Sequence, residues 1–433
     1  MESKRGYVLQ KATLTSGVLS SIRTDLTVAP LANPSAPGTP TSFPVFLEDD
    51  VEMRVPRFYG QQKFGRDPSP TFPCDDAELA STIRLKTELD QPVVVEKTLR
   101  SLRDVGGAVV CLPCGFGKTT VALYVASALG VKTLVIVHKS ILADQWRERI
   151  AQFLPASTVG KIQGKTADVR HDIVIATIQS LAMRDYPPET FEGFGLTIID
   201  ECHHAPAAVF SRVFFRIGAT RFTLGLSATP TRRDGLTPVL HHFVGPFSYE
   251  KTQRTEAGVS VDIVRYRHAL FDAPPPVLYN GKANVSKMVT QTTEISERTR
   301  MIADKISDVS KTRRTIVLTD RRAHCADIVA LVPGSALYVG GMKPADRAVA
   351  EKAHVIVSTF ALANEGLDIP GLSAIILASP KSDVVQSVGR VMRSGGGSDA
   401  LVVDVSDEWG LFQGQAKKRR AYYASCGFKI NFC

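Results

Sequence analysis

From about residue 81 onward, hydrophobic positions fall into short unbroken runs separated by stretches of helical spacing. The runs GAVVCL, TLVIVH, DIVIAT, LTIID and FTLGLSAT come first, with TVALYVASAL and SILADQWRERIAQF among them as amphipathic helices. A strand that is apolar at every position needs cover on both faces, and helices between strands supply it. The pattern therefore predicts an α/β unit built on a parallel sheet. After a less regular stretch over residues 236–300 it restarts with RTIVLTD, SALYVGG, AHVIVST, SAIILAS and ALVVDV, which predicts a second α/β lobe. The chain of 433 residues is too long for one ordinary domain. The first 80 residues read differently. The segment PLANPSAPGTPTSFP is dense in proline and small residues and predicts a loop, and FPVFL and EMRVPRFYG predict short strands. The expected division is an accessory domain over 1–80, lobes over 81–247 and 248–413, and a basic tail over 414–433.

Chemistry concentrates at the ends of the predicted strands. Leu112-Pro113-Cys114-Gly115-Phe116-Gly117-Lys118-Thr119-Thr120 follows one strand and opens a helix, the setting a phosphate loop requires. Gly115 and Gly117 let the backbone approach phosphate oxygens, and the helix N-terminus adds N–H donors and a positive dipole end. Lys118 is placed to reach β and γ phosphates, with the Thr119 hydroxyl on Mg²⁺. The leading glycine of the usual loop is absent, since Leu112 stands there. Downstream, LTII ends in Asp200 and Glu201. Ligands gather at the carboxyl ends of parallel strands, so one acid can hold the metal and the next can orient water. The same pair after a strand also serves simply as a helix cap. His203 reads as a coupling residue rather than a zinc ligand, because adjacent histidines cannot easily share one ion. Ser227 and Thr229, ending FTLGL, are small hydroxyl residues able to relay the state of the acids. Gln386, Arg390 and Arg393 recur at i, i+4 and i+7 and share one helix face. Two guanidiniums there can stabilise a transferring phosphoryl group, although a solvated basic face gives the same spacing. Gly366 allows close backbone approach, and Asp368 can bond a ribose or an arginine.

Taken in order, LPCGFGKT, DECHH, SATP, STFALANEGLDIP and QSVGRVMR resemble motifs I, II, III, V and VI of the superfamily 2 helicases. LPCGFGK, DECHH and SATPTRRDG are most similar to the branch holding XPB, UvsW and the transcript-release helicases of poxviruses and other large DNA viruses. LTVAP, VPRFYG and YYASCGFKI look most like the large-DNA-virus members. The resemblance implies two tandem RecA-like parallel-sheet lobes with a small N-terminal accessory domain, and ATP with Mg²⁺ between the lobes. It implies a DNA track followed 3′ to 5′ and a part in duplex remodelling or transcript release, the alternatives being an RNA helicase, a duplex-DNA translocase without strand separation, and a non-hydrolysing nucleic-acid-binding subunit of a larger complex. It further implies that Gln91 reads adenine, although ELDQ here lacks the flanking arginine of the family's pattern. By the same resemblance His138, Lys139, Thr177, Thr319, Asp320 and Thr359 grip a sugar–phosphate backbone. Arg321, Arg322 and Lys343 near these loops add salt-sensitive attraction.

A formal charge of +9 agrees with a polyanionic partner. The run Lys417-Lys418-Arg419-Arg420 reads as a nucleic-acid contact, a nuclear address or a solvated helix end. Trp146 reads as core packing before base stacking. Seven scattered cysteines argue against a disulfide framework, and the single CxxC at Cys111 and Cys114 falls inside the phosphate loop. No apolar run has the length of a membrane span, and the expectation is a soluble intracellular protein, viral or cellular, able to work with RNA polymerase or replication proteins.

Overall fold

The computed structural model describes the chain apart from residues 1, 4–5, 32–40, 68–71, 114, 204–206, 230, 233, 252–257, 367–368, 386 and 390–399. The described chain forms two compact units, Met1–Thr252 and Gln253–Cys433.

In the first unit an eight-stranded sheet runs in the order Thr166–Asp168, Val159–Gln163, Ile173–Thr177, Thr133–Val137, Leu196–Ile199, Phe222–Ser227, Gly107–Cys111, Phe247–Glu250. All neighbours are parallel except the short hairpin at the Thr166–Asp168 edge. The five runs read as strands are its centre, fully buried as their composition requires. Alternate residues feed two cores: Val109, Leu134, Ile136 and Val174 on one face, Ala108, Val110, Val135 and Ile175 on the other. The helices Lys118–Leu129 and Ser140–Phe153 cover the second face, and Ala207–Ile217 and Thr237–Val244 the first.

The N-terminal 80 residues belong to this unit, so the boundary expected near residue 80 falls inside it. Strands Glu2–Ser3, Gly6–Gln10, Glu52–Val55 and Leu47–Glu48 form a small antiparallel sheet. Its Tyr7, Leu9, Met53 and Val55 enter the same core as Val109 and Phe210. The segment EMRVPRFYG, expected as a strand, splits at Pro56. Proline cannot continue the ladder but suits a helix start, and Arg57–Phe64 is a helix packed on Thr237–Val244.

The second unit is a seven-stranded, all-parallel sheet ordered Ser335–Tyr338, Val355–Thr359, Thr315–Thr319, Ala374–Leu377, Ala400–Asp407, Val259–Tyr266, Lys429–Phe432. The five strands read from the sequence are all present. Two further strands carry no such run. Val259–Tyr266 alternates apolar and polar positions, and Lys429–Phe432 lies in the expected tail. That tail is a correction: residues 411–425 form a helix, and the last strand completes the sheet. Arg419, read as part of a basic run, is buried, its guanidinium on Asp404 at 2.7 and 2.8 Å, with Tyr423 Oη donating to the same carboxylate at 3.0 Å. Lys417 and Lys418 remain exposed. A second buried pair, Arg298 with Asp407 at 2.7 and 2.8 Å, ties the helix Ser296–Ser310 to the sheet. No described helix is long and apolar enough to cross a membrane.

Candidate nucleotide site

The strand Gly107–Cys111 delivers the chain to the phosphate loop, and the helix Lys118–Leu129 leaves it. Gly115 and Gly117 have φ of +86° and +88°, the left-handed region where a side chain costs free energy. A Cβ on Gly117 would also lie 2.7 Å from Gln91 Nε2. Phe116 is buried, and the Lys251 ammonium sits 5.8 Å from its ring centre while pairing with Asp90 at 2.9 Å. Lys118 is buried, with Nζ 3.4 Å from both the Leu112 carbonyl and Glu201 Oε1. Thr119 and Thr120 are partly exposed in the first turn.

Gln91 opens the helix Gln91–Val105 and is buried against the loop. Its Oε1 accepts from Lys86 N at 2.9 Å, and its Nε2 donates to the Phe116 carbonyl at 2.7 Å. The carboxamide thus ties residues 86–91 to the phosphate loop, and one of its two protons is spent on that tie.

The strand Leu196–Ile199 ends at the acids. Glu201 has φ +46°, a left-handed conformation that costs a non-glycine residue about 1–3 kcal/mol and turns its carboxylate toward Lys118. Asp200 accepts from Glu201 N at 3.0 Å through Oδ1 and from Trp146 Nε1 at 2.9 Å through Oδ2. Burial among protein atoms, then repulsion by Glu201, pushes the Asp200 carboxyl up to about 6, although its surface is not wholly covered. The Trp146 bond and Lys118 oppose that shift. The indole itself is 1 % exposed, so core packing is right for Trp146, yet its N–H reaches the acid from 54 residues away. Residue spacing gives no signal for that contact.

His203 Nδ1 lies 2.8 Å from Ser227 Oγ and 3.5 Å from Glu201 Oε2. Ser227 Oγ donates to the Thr229 carbonyl at 2.5 Å and accepts from Thr229 N at 3.1 Å. With that hydroxyl proton spent, His203 Nδ1–H is the donor to Ser227. The residues expected to couple the acids to the next strand end therefore touch in sequence: Glu201, His203, Ser227, Thr229.

His138 and Lys139 lie at the carboxyl end of Thr133–Val137, partly exposed, and the His138 carbonyl accepts from Gln179 Nε2. Thr177, at the corresponding end of Ile173–Thr177, is buried with its hydroxyl on Ser180 Oγ at 2.8 Å. In the second unit Thr319 is fully buried with Oγ1 2.8 Å from His324 Nδ1, so its side chain faces the core and not a strand track. Asp320 pairs with Lys381 at 2.9 Å, and Arg321 donates to Thr290 Oγ1 at 3.0 Å and the Ser286 carbonyl at 2.7 Å. Thr359 Oγ1 accepts from Leu362 N at 3.4 Å at the start of the helix Phe360–Gly366. Asp368, Gln386, Arg390 and Arg393 lie outside the described residues. Burial pushes the Cys111 thiol up to about 12, an unreactive state, and no cluster of metal-ligating side chains occurs among the described residues.

A phosphate loop, an acid pair and a hydroxyl strand end on one edge of a RecA-like sheet, followed by a second such sheet, define a helicase-type fold. Residues 84–232 match the family described as type III restriction enzyme, res subunit. A relative from Acanthamoeba polyphaga mimivirus, named "Putative ATP-dependent RNA helicase L396", is 31% identical over 98% of this chain and 85% of its own length. The DNA 3'-5' translocase XPB2 of Sulfurisphaera tokodaii is 37% identical over 35% of this chain and 33% of its own. The solved structure of S. cerevisiae Dbp5 bound to RNA and ADP BeF3 shares the fold, with a TM-score of 0.58 at 12% identity over 79% of this chain and 89% of that one. The chain belongs to the superfamily 2 ATP-dependent helicases, and viral members of that family are among its relatives.

Proposed function

We propose that this chain is an ATP-driven DNA helicase or translocase, moving 3′ to 5′ and remodelling duplexes or releasing transcripts. The observation that carries the reading is the series of contacts from Lys118 through Glu201 and His203 to Ser227 and Thr229, on the same sheet edge as the loops of His138 and Thr177. Lys118 and the first turn of its helix bind the β and γ phosphates. Glu201 orients water and accepts its proton, and His203 passes the state of that carboxylate to Ser227. The donor set fits Mg²⁺: a hydroxyl at Thr119 and a carboxylate at Asp200 whose charge burial disfavours, with phosphates and water completing an oxygen shell. When bound, the ion neutralises charge developing on the β and γ oxygens. The proposal includes the role expected from the sequence for Arg390 and Arg393, stabilising the transferring phosphoryl group, with Gln386 of the same motif.

A DNA track is supported by the similarity to the XPB2 translocase over 150 residues. An RNA track is the second reading, supported by the name of the mimivirus relative that matches nearly the whole chain. ATPase and strand separation measured with single-stranded DNA, duplex DNA and RNA decide between them. Lys118→Ala is expected to abolish turnover and keep nucleic-acid binding. Wild-type hydrolysis by that variant would refute the site. A transcription complex as the working partner is tested by co-migration with RNA polymerase.

A further inference from the structure

We infer that the first unit carries a second nucleic-acid contact, an arginine-lined recess for phosphodiester backbone on the sheet edge opposite the nucleotide site. The inference rests on the reading that the chain binds nucleic acid. The recess has a volume of about 430 Å³ and is walled by Arg57, Arg66, Arg103 and Arg221 with Phe72 and Phe222, and no carboxylate belongs to its described lining. Arg66, Arg103 and Arg221 are exposed and form no ion pair among the described residues. Arg57 is buried, its Nη1 donating to the carbonyls of Thr220 and Arg221 at 3.0 Å.

The place is set by topology. Arg103 lies in the last turn of the helix Gln91–Val105, and Gly106 and Arg221 immediately precede the strands Gly107–Cys111 and Phe222–Ser227. The far ends of those strands lead to the phosphate loop and to Ser227. Five strand residues span about 17 Å, so the recess stands roughly that far from the nucleotide and from the strand-end loops.

The chemistry points to phosphate. The three exposed guanidiniums of Arg66, Arg103 and Arg221 repel one another around one recess, and its described lining holds no acid to offset them. A guanidinium presents a planar fork that matches phosphate oxygens two at a time. The aromatic rings hold cations here: the Arg57 guanidinium carbon is 4.3 Å from the Phe72 ring centre, and that of Arg221 is 5.1 Å from Phe222. Those rings fix the forks rather than stack bases, so the recess reads backbone and not sequence. A recess of this size takes a sugar–phosphate unit or two and not a folded domain. The strand or duplex flanking the motor's own footprint supplies that group.

The test replaces Arg66, Arg103 and Arg221 together by glutamine, with a triple lysine variant as the charge-preserving control. Binding is measured against salt for a strand of about 8 nucleotides and one of roughly 40 nucleotides. With the long strand, the slope of log affinity against log salt is expected to flatten by about 2, near 0.7 for each phosphate no longer neutralised. The short strand should bind all three proteins within about twofold, ATPase at saturating long strand should hold, and the lysine variant should keep the wild-type slope. An unchanged slope in the glutamine variant overturns the inference. Equal weakening on both strands also overturns it, because the arginines would then lie on the motor's track. Inorganic phosphate binding that needs the arginines, with long-strand affinity equal in wild type and variant, overturns it in favour of a free-phosphate site. A wild type that binds no nucleic acid at all sinks the functional reading instead, which separates the two failures.

Discussion

Replacing Trp146 by Phe removes one hydrogen bond and little else from the site. The indole Nε1–H donates at 2.9 Å to Asp200 Oδ2, and phenyl keeps most of the apolar bulk without a donor. A hydrogen bond to a charged group contributes about 1.5–3 kcal/mol. That donor favours the ionised carboxylate, so its removal raises the Asp200 pKa. At 1.36 kcal/mol per unit the rise is roughly 1–2 units. Starting from about 6, the carboxyl moves to about 7–8. Near neutral pH its ionised fraction then falls from about nine-tenths to between about one-tenth and one-half. If turnover needs Asp200 ionised, nucleic-acid-stimulated ATPase near neutral pH drops about 2–10-fold.

The direction gives the assay its edge. Raising the pH ionises the carboxyl again, so the variant should approach wild-type rates near pH 9 with the midpoint of its profile displaced upward by about 1–2 units. The comparison is made at matched, subsaturating magnesium, where protonation of the carboxyl competes with the ion and the midpoints stay near those of the free carboxyl. The smaller ring also costs about 1–2 kcal/mol of stability, read from urea denaturation, and that change carries no such pH signature. A variant-to-wild-type ratio that stays flat from about pH 6.5 to 9 refutes the reasoning, because Trp146 would then act only as packing.

Arg298→Met strands the fully buried Asp407 and should cost the second unit about 3–5 kcal/mol in urea denaturation, most of it recovered by adding Asp407→Leu. Burial holds the His324 imidazole down to about 3. The unfolded chain therefore takes up a proton that the fold refuses, and stability is lost by up to about 1.4 kcal/mol per pH unit as pH falls below about 6.5. Thermal melts across that range should show the loss, and His324→Asn should remove its share, leaving the part due to His242, whose imidazole burial also holds down to about 4. Ser227→Ala breaks the link between His203 and Thr229 and should lower nucleic-acid stimulation of ATPase by up to about tenfold, the equivalent of one neutral hydrogen bond, while leaving basal hydrolysis near wild type.

The strands legible in the sequence are those buried on both faces, because a strand with no solvent side shows up as an unbroken apolar run. Those that escape are half-wet or edge strands. Val259–Tyr266 alternates buried with half-buried positions over most of its length, matching the alternation in its sequence, and Lys429–Phe432 is a sheet edge four residues long. The expectation of a separate N-terminal domain rests on composition alone. Composition cannot show that Tyr7 and Met53 complete a core begun by Val109 and Phe210.

The candidate nucleotide site is legible for a related reason. Lys118, Asp200, Glu201 and Ser227 each end or follow a strand, and parallel strands bring their carboxyl ends to one edge whatever lies between them. Topology therefore does the long-range work, and the local motif is enough. Side-chain pairs that bridge a helix to a strand have no such guarantee. Trp146 with Asp200, Arg298 with Asp407 and Arg57 with the Thr220 carbonyl span 54, 109 and 163 residues, and nothing local to either partner names the other. The basic run at 417–420 shows the cost of reading charge without that third dimension. Arg419 is buried on Asp404 while its neighbours Lys417 and Lys418 face solvent, because each residue of a helix is turned about 100° from the last and a short run is spread around the axis. The same reasoning favours the recess of Arg66, Arg103 and Arg221 over that run as a phosphate contact. Three elements distant in sequence bring guanidiniums without a described ion pair to one place, whereas adjacent basic residues on a helix are dispersed by its geometry.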